Sequence, residues 1–153
     1  MADKDVSNPK VGVALVLTCM DLRVLDEASE YLHEKGLKNE YDHIVMAGAA
    51  LGVLSKPETW GATFWDHLGL AIQLHKIDEV YIFEHQDCGA YRLLLDPSRQ
   101  GVLDQPVSEK HAHHEQSRTL ATQIQERFPA IKKVELRYIA IKKGTVDGEV
   151  ETY

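Results

Sequence analysis

The sequence predicts a single α/β domain built on a mainly parallel central β-sheet flanked by helices. Three observations carry this expectation. Residues 11–17 (VGVALVL) are continuously apolar and rich in β-branched side chains, the pattern of a strand covered on both faces. Strand-like runs alternate with stretches of helical periodicity in the order expected of right-handed crossovers over a parallel sheet. The chain of 153 residues, 44% apolar and 27% charged, suits one compact domain, and no repeat, low-complexity tract or Pro/Gly/Ser-rich linker divides it. The polar residues 1–10 are expected to form a flexible N-terminal arm, with the domain at residues 11–153.

The elements follow in order. The first strand covers residues 11–18. Leu25, Ala28 and Leu32 then recur at helical spacing up to Gly36, a helix stop. Residues 41–47 (YDHIVMA) form the second strand and run into a small-residue turn at Gly48, Ala49 and Ala50. Ser55-Lys-Pro-Glu58 has the form of a capping box and predicts a helix over residues 55–75. Trp60, Phe64, Trp65, Leu68, Ala71, Ile72 and Leu74 make that helix apolar over more than one stripe, which suits contact with the sheet and with a second subunit. Residues 79–84 (EVYIFE) are the third strand, followed by a short helix at residues 90–95. A polar loop with Pro97 and Pro106 leads to a helix over residues 108–128, with Leu120, Ala121, Ile124 and Phe128 on one face and Pro129 ending it. Residues 133–141 (KVELRYIAI) are the fourth strand. Turn signals at Lys143-Gly144 and Asp147-Gly148 set off residues 149–153 as a small terminal strand or an extension.

Seventeen basic against 24 acidic residues give a formal charge of -7, so the chain offers no basic surface to neutralise a phosphate backbone, and nucleic acid is excluded as an expected partner. No apolar run approaches the roughly 20 residues that span a bilayer, so no membrane association is expected. Two cysteines cannot build a disulfide scaffold and the start is polar, so the expected compartment is the reducing cytoplasm.

Both cysteines fall at the carboxyl ends of predicted strands, where ligands bind in open α/β sheets. Cys19 follows the first strand within Cys19-x-Asp21-x-Arg23, and Cys88 follows the third within His85-x-x-Cys88-Gly89. If those strands are neighbours, two sulfurs and an imidazole converge on one crevice. Such a donor set suits tetrahedral Zn²⁺, with the fourth position left for chemistry. Asp21 and Arg23 can pair beside the metal. The carboxylate is placed either to accept a proton from a zinc-bound water or to occupy the fourth site when Arg23 releases it. Two thiolates weaken the metal as a Lewis acid, which makes a nearby proton acceptor a chemical need. The bland alternatives are a pair of inert buried thiols or a disulfide between them. A phosphatase-type nucleophile fails, because the arginine it needs six positions after Cys19 is Leu25.

His111, His113, His114 and Glu115 form a second tempting cluster. It admits an accessory metal site or proton relay, or a polar helix turn at a subunit contact. His33, His43, His67 and His75 read as surface or satisfied structural residues, and Asp87 as a turn residue beside the site rather than a ligand. Trp60, Phe64, Trp65 and Tyr91 read as core or interface.

The two motifs together, in this order and strand context, resemble the β-class carbonic anhydrases over residues 11–150. The resemblance implies a β-carbonic-anhydrase-like fold and one Zn²⁺ per chain held by Cys19, His85 and Cys88. It also implies Asp21 with Arg23 as the regulating and proton-accepting dyad. The implied reaction is the reversible hydration of carbon dioxide to bicarbonate by a zinc-bound hydroxide, in a homodimer or higher homo-oligomer. Two departures stand out. Where that family commonly carries Arg-Asn-Ala-Gly after the second strand, this sequence has Val45, Met46, Ala47 and Gly48. Set against that family the sequence is also expected to be a short form, lacking the N-terminal helical arm that usually clasps the partner. Apolar Val45 and Met46 leave room for two alternatives: a hydrolase of carbonyl sulfide or carbon disulfide on the same zinc scaffold, and a catalytically inactive zinc-binding dimer.

Overall fold

The apolar run at the start of the domain forms β1 (Ala14–Thr18), buried at every position. A computed structural model describes residues 12–153, and the arm expected at residues 1–10 lies outside the described residues. Along β1 the side chains alternate between two cores. Ala14 and Val16 join one cluster with Ala28, Leu32 and Tyr91, whereas Leu15 and Leu17 join another with Phe64, Leu68, Leu120 and Ile124. The period of two, apolar on both faces, is what a strand between two helical layers requires.

Around β1 lie β2 (Tyr41–Val45), β3 (Glu79–His85), β4 (Lys133–Ile141) and β5 (Gly148–Glu151), in the sheet order β2-β1-β3-β4-β5. The pairs β1·β2, β1·β3 and β3·β4 are parallel and β4·β5 is antiparallel. The sheet is therefore mostly parallel and flanked by helices, as the sequence predicts. After β1 the chain adds β2 on one side and β3 on the other. The order reverses at β1, and a crevice opens beyond the carboxyl ends of β1 and β3.

The helices are α1 (Leu25–Glu34), α2 (Ala50–Ser55), α3 (Trp60–His75), α4 (Gly89–Leu94) and α5 (Pro106–Arg127), with a 3₁₀ helix at Pro97–Asp104. One expectation fails here. Ser55 does not cap a helix running to His75; it is the last residue of α2, and α3 begins five residues later at Trp60. Pro57 is the cause. The residue before a proline is driven out of the helical region, and Lys56 accordingly sits at φ -125°. The chain turns there, with the N–H groups of Thr59 and Gly61 donating to the Lys56 carbonyl. The predicted small-residue turn is likewise the entry to α2, which packs so closely on it that a Cβ at Gly52 would overlap the Ala47 carbonyl.

The inward stripe of α5 also differs from expectation. Leu120 and Ile124 are buried, but the stripe continues toward the N-terminus through Glu109, Ala112, His113 and Ser117. Those buried polar side chains lie directly behind the crevice. No helix among the described residues is long and apolar enough to cross a membrane.

Candidate metal centre

The parallel pairing of β1 with β3 brings the loop after Thr18 beside the loop after His85. Cys19 Sγ and Cys88 Sγ lie 3.9 Å apart, and with a ring nitrogen of His85 they form a group whose ligand atoms all lie within 4.8 Å of one another. The three residues are 4%, 1% and 4% exposed for Cys19, His85 and Cys88. This buried group can hold a metal ion. His85 Nδ1 donates to the Gln86 carbonyl at 2.8 Å, so the proton sits on Nδ1 and Nε2 carries the lone pair. Nε2 is buried and has no hydrogen-bond partner. A buried acceptor left unpaired costs about 1–3 kcal/mol, and a coordinated cation would remove that cost.

The electrostatics favour a cation as well. The Cys19 thiol is pushed down, first because Cys88 donates to it; burial opposes this, and His85 and the Gly48 N–H at 3.4 Å reinforce it. Cys88 is pushed up by holding the proton of the pair and by burial. Burial disfavours a charged His85, yet the adjacent Cys19 sulfur outweighs it and the net shift is upward. Two sulfurs and an imidazole thus compete for protons in a dry site, and a cation replaces those protons in one step.

Asp21 stands beside this group, turned to Arg23. Its Oδ1 accepts from Arg23 N and Nε, both at 2.9 Å, and its Oδ2 accepts from a terminal guanidinium nitrogen at 2.8 Å. These bonds hold the Asp21 carboxyl down at about 2. Arg23 also donates to Asp87 Oδ2 at 3.2 Å and to the Asp87 carbonyl at 3.0 Å, which tethers the two motif loops to each other. Asp87 is 73% exposed on its side chain and its φ is +57°, the geometry of a turn residue rather than of a ligand.

Cys19 and Asp21 open onto a cavity of about 400 Å³ whose other walls are Met20, Ala47, Trp60, Gly89, Ala90, Leu93 and Leu94. Apart from Asp21 and Cys19 the lining is apolar. Trp60, read from sequence as core or interface, therefore contributes to the cavity wall. Val45 and Met46 do not: Val45 is exposed, and Met46 packs against the core beneath α2. Gly48 keeps a positive φ of +74°, which turns its N–H toward the Cys19 sulfur.

Behind the cavity lies a network that sequence reasoning missed. Glu84, 1% exposed, accepts from the Ala50 N–H at 3.0 Å, the Tyr91 hydroxyl at 3.0 Å and His113 Nδ1 at 2.9 Å. Burial and then the Glu84 charge push the Tyr91 phenol well above its usual value, so it remains a proton donor. Buried Glu109 accepts from the Asp87 N–H at 2.5 Å and the Tyr138 hydroxyl at 3.4 Å. The available signal was a glutamate directly after the apolar run 80–83 of β3, a charge that burial obliges to find partners.

The cluster on α5 does not converge. His113 points inward to Glu84, His114 stacks on Tyr153 with ring centroids 4.2 Å apart, and Glu115 pairs with Arg99. Among the described residues this stretch gathers no group of three donors able to hold a metal, so the accessory-site alternative gains no support. Four histidines outside both clusters find ordinary partners: His33 with Ser29, His43 with Thr18, His67 with the Thr63 carbonyl and His75 with Asp42.

A mostly parallel α/β sheet with a buried Cys-His-Cys group at its switch point defines a protein with a candidate metal centre built on two strand-end loops. The chain belongs to the family described as "Putative carbonic anhydrase", whose profile matches residues 10–146. It is 31% identical over 119 residues to an uncharacterized protein of Rickettsia bellii (strain RML369-C), covering 77% of this chain and 71% of that protein. It is 28% identical over 119 residues to an uncharacterized protein of Rickettsia conorii (strain ATCC VR-613 / Malish 7), of which it spans 62%. Among solved structures it is similar to the β-carbonic anhydrase CafD of the filamentous fungus Aspergillus fumigatus, with a TM-score of 0.50 and 19% identity over 92% of this chain and 89% of that one. That likeness shows the fold.

Proposed function

We propose that the protein is a zinc enzyme that reversibly hydrates carbon dioxide to bicarbonate, with Cys19, His85 and Cys88 holding one Zn²⁺ per chain. The observation that carries this reading is the buried convergence of the three side chains with His85 Nε2 left unpartnered. Two Zn–S bonds of about 2.3 Å at a tetrahedral angle separate their sulfurs by about 3.8 Å, close to the 3.9 Å between Cys19 and Cys88. Zinc held there would supply the Lewis acidity that draws the ionisation of water toward neutral pH.

The chain's own residues do the rest. Arg23 fixes the Asp21 carboxylate as an anion at the cavity, where Oδ2, which accepts one bond from Arg23 where Oδ1 accepts two, accepts a hydrogen bond from water and relays its proton rather than keeping it, because the carboxyl is held down at about 2. Its side chain is 20% exposed, which lets the proton pass on to solvent. The apolar walls from Met20, Trp60, Leu93 and Leu94 suit a small uncharged substrate. We also infer a homodimer or higher homo-oligomer. Met20, Leu22 and Leu93 are large, apolar and exposed on the segments that border the cavity, and Leu70 and Leu74 are exposed on α3.

The deciding experiment combines metal analysis with stopped-flow carbon dioxide hydration between about pH 7 and pH 9. One zinc per chain with turnover is the expected result. Zinc without turnover would favour a binding role, and no zinc in protein purified without chelator would overturn the reading. The apolar lining favours one second reading, a hydrolase of carbonyl sulfide or carbon disulfide. Hydration without sulfide release from either compound removes it.

A further inference from the structure

Glu84 precedes His85 in the chain, and its carboxylate reaches the helix that starts beside Gly48, the helix that follows Cys88 and the helix packed behind both. Its Oε1 accepts from the N–H of Ala50, the first residue of α2. Two residues earlier, Gly48 directs its N–H onto Cys19 Sγ. Its Oε2 accepts from the Tyr91 hydroxyl on α4, three residues after Cys88, and from His113 Nδ1 on α5. The same face of α5, one helical turn earlier, carries Glu109, which holds the Asp87 N–H within the loop between His85 and Cys88. One carboxylate therefore ties the Cys19 side of the crevice to the Cys88 side, while its own backbone fixes the start of the His85 turn. A fully desolvated carboxylate with three donors is a costly way to fasten helices that already bury apolar faces. Its value is geometric, because charge-assisted hydrogen bonds fix directions that apolar contacts leave free.

We infer that Glu84 is a positioning residue for the metal centre, a buried carboxylate clamp that holds Cys19, His85 and Cys88 at the separation a metal requires, with Tyr91 and His113 as its donors. This rests on the proposal that the three residues bind metal. Glu84→Gln keeps the shape and can still accept from Ala50. It then turns an amide N–H₂ toward two groups that donate to the carboxylate, so the Tyr91 hydroxyl and His113 Nδ1 must each turn to accept and the charge-assisted bonds to α4 and α5 are lost. Tyr91→Phe removes a single donor with little change in volume.

The test titrates Co²⁺ and Cd²⁺ into chelator-treated protein, follows the sulfur-to-metal charge-transfer absorption, and records the thermal midpoint of each apoprotein. Glu84→Gln is expected to weaken metal binding by about 10- to 100-fold and to alter the charge-transfer spectrum, and Tyr91→Phe to weaken it by about 3- to 10-fold. A lower thermal midpoint with unchanged affinity and spectrum in folded Glu84→Gln would mean a purely structural carboxylate and overturn the inference. If Glu84→Gln fails to fold, Tyr91→Phe decides: an affinity equal to that of the unaltered protein overturns the clamp. The failure of the underlying proposal looks different, since the unaltered protein would then show no charge-transfer band and no stoichiometric uptake of either ion.

Discussion

Two stretches of this chain are rich in side chains that bind metals, and they behave in opposite ways. The donors of the crevice lie far apart in sequence, with Cys19 and Cys88 separated by 69 residues, yet they meet because parallel strands deliver their carboxyl ends to the same edge. The donors at positions 111–115 are almost contiguous, yet they scatter, because successive residues on a helix point about 100° apart. His113 turns to the core, His114 to Tyr153 and Glu115 to Arg99. Density of donors in the sequence is therefore a poor guide. Convergence depends on which ends of which elements the topology brings together.

The contrast can be broken most sharply by exchanging the role of a single donor in each region. Cys88→Ser is expected to abolish metal uptake, from one ion per chain to almost none by elemental analysis, whereas His111→Ala leaves the stoichiometry unchanged. Equal loss in both would erase the distinction. Asp21→Asn should retain the metal while hydration falls by about 10²-fold or more, the usual scale for a lost proton acceptor. Loss of metal on the scale of Cys88→Ser would instead make Asp21 a permanent ligand.

Within α5 itself, His113→Ala should lower unfolding stability by about 2–4 kcal/mol in a denaturant titration, because it opens a cavity and deprives buried Glu84 of a donor. His114→Ala, on the partly exposed face, should cost under about 1 kcal/mol. Similar losses would mean that the inward and outward histidines are energetically alike. The smallest effect concerns acid. Arg23 holds the Asp21 carboxyl at about 2 against an ordinary 3.8, so its contribution is complete above pH 3.8 and disappears as the pH falls through about 2. Unfolding curves of Asp21→Asn and the unaltered protein should converge over that interval, and curves that stay parallel would contradict the assignment.

Much of this architecture could be read from residue patterns. The fourth strand begins and ends where its alternation does, at Lys133 and Ile141, and β1 and β3 are neighbours, as the two motifs required. The approach of Cys19, His85 and Cys88 was legible because strand ends in a parallel sheet share one edge. The start of α3 was not, because Ser55 and Glu58 match a capping pattern while Pro57 ends the preceding helix. The Glu84 network escaped for another reason. Its partners Ala50, Tyr91 and His113 come from three different helices, and no local periodicity encodes a meeting of that kind.

The span between the two sulfurs also bears on the birth of the protein. A ribosome adding about 5–20 residues per second needs roughly 3–14 s to extend from Cys19 to Cys88. For that interval the first thiol has neither its sulfur neighbour nor its imidazole, and the β1–β3 edge that will enclose it does not yet exist. Each nascent chain thus carries a thiol open to oxidants before any site exists to capture a metal. On the proposed zinc reading, the yield of protein able to load metal will depend on the reductant present during synthesis as well as on the zinc supplied afterwards.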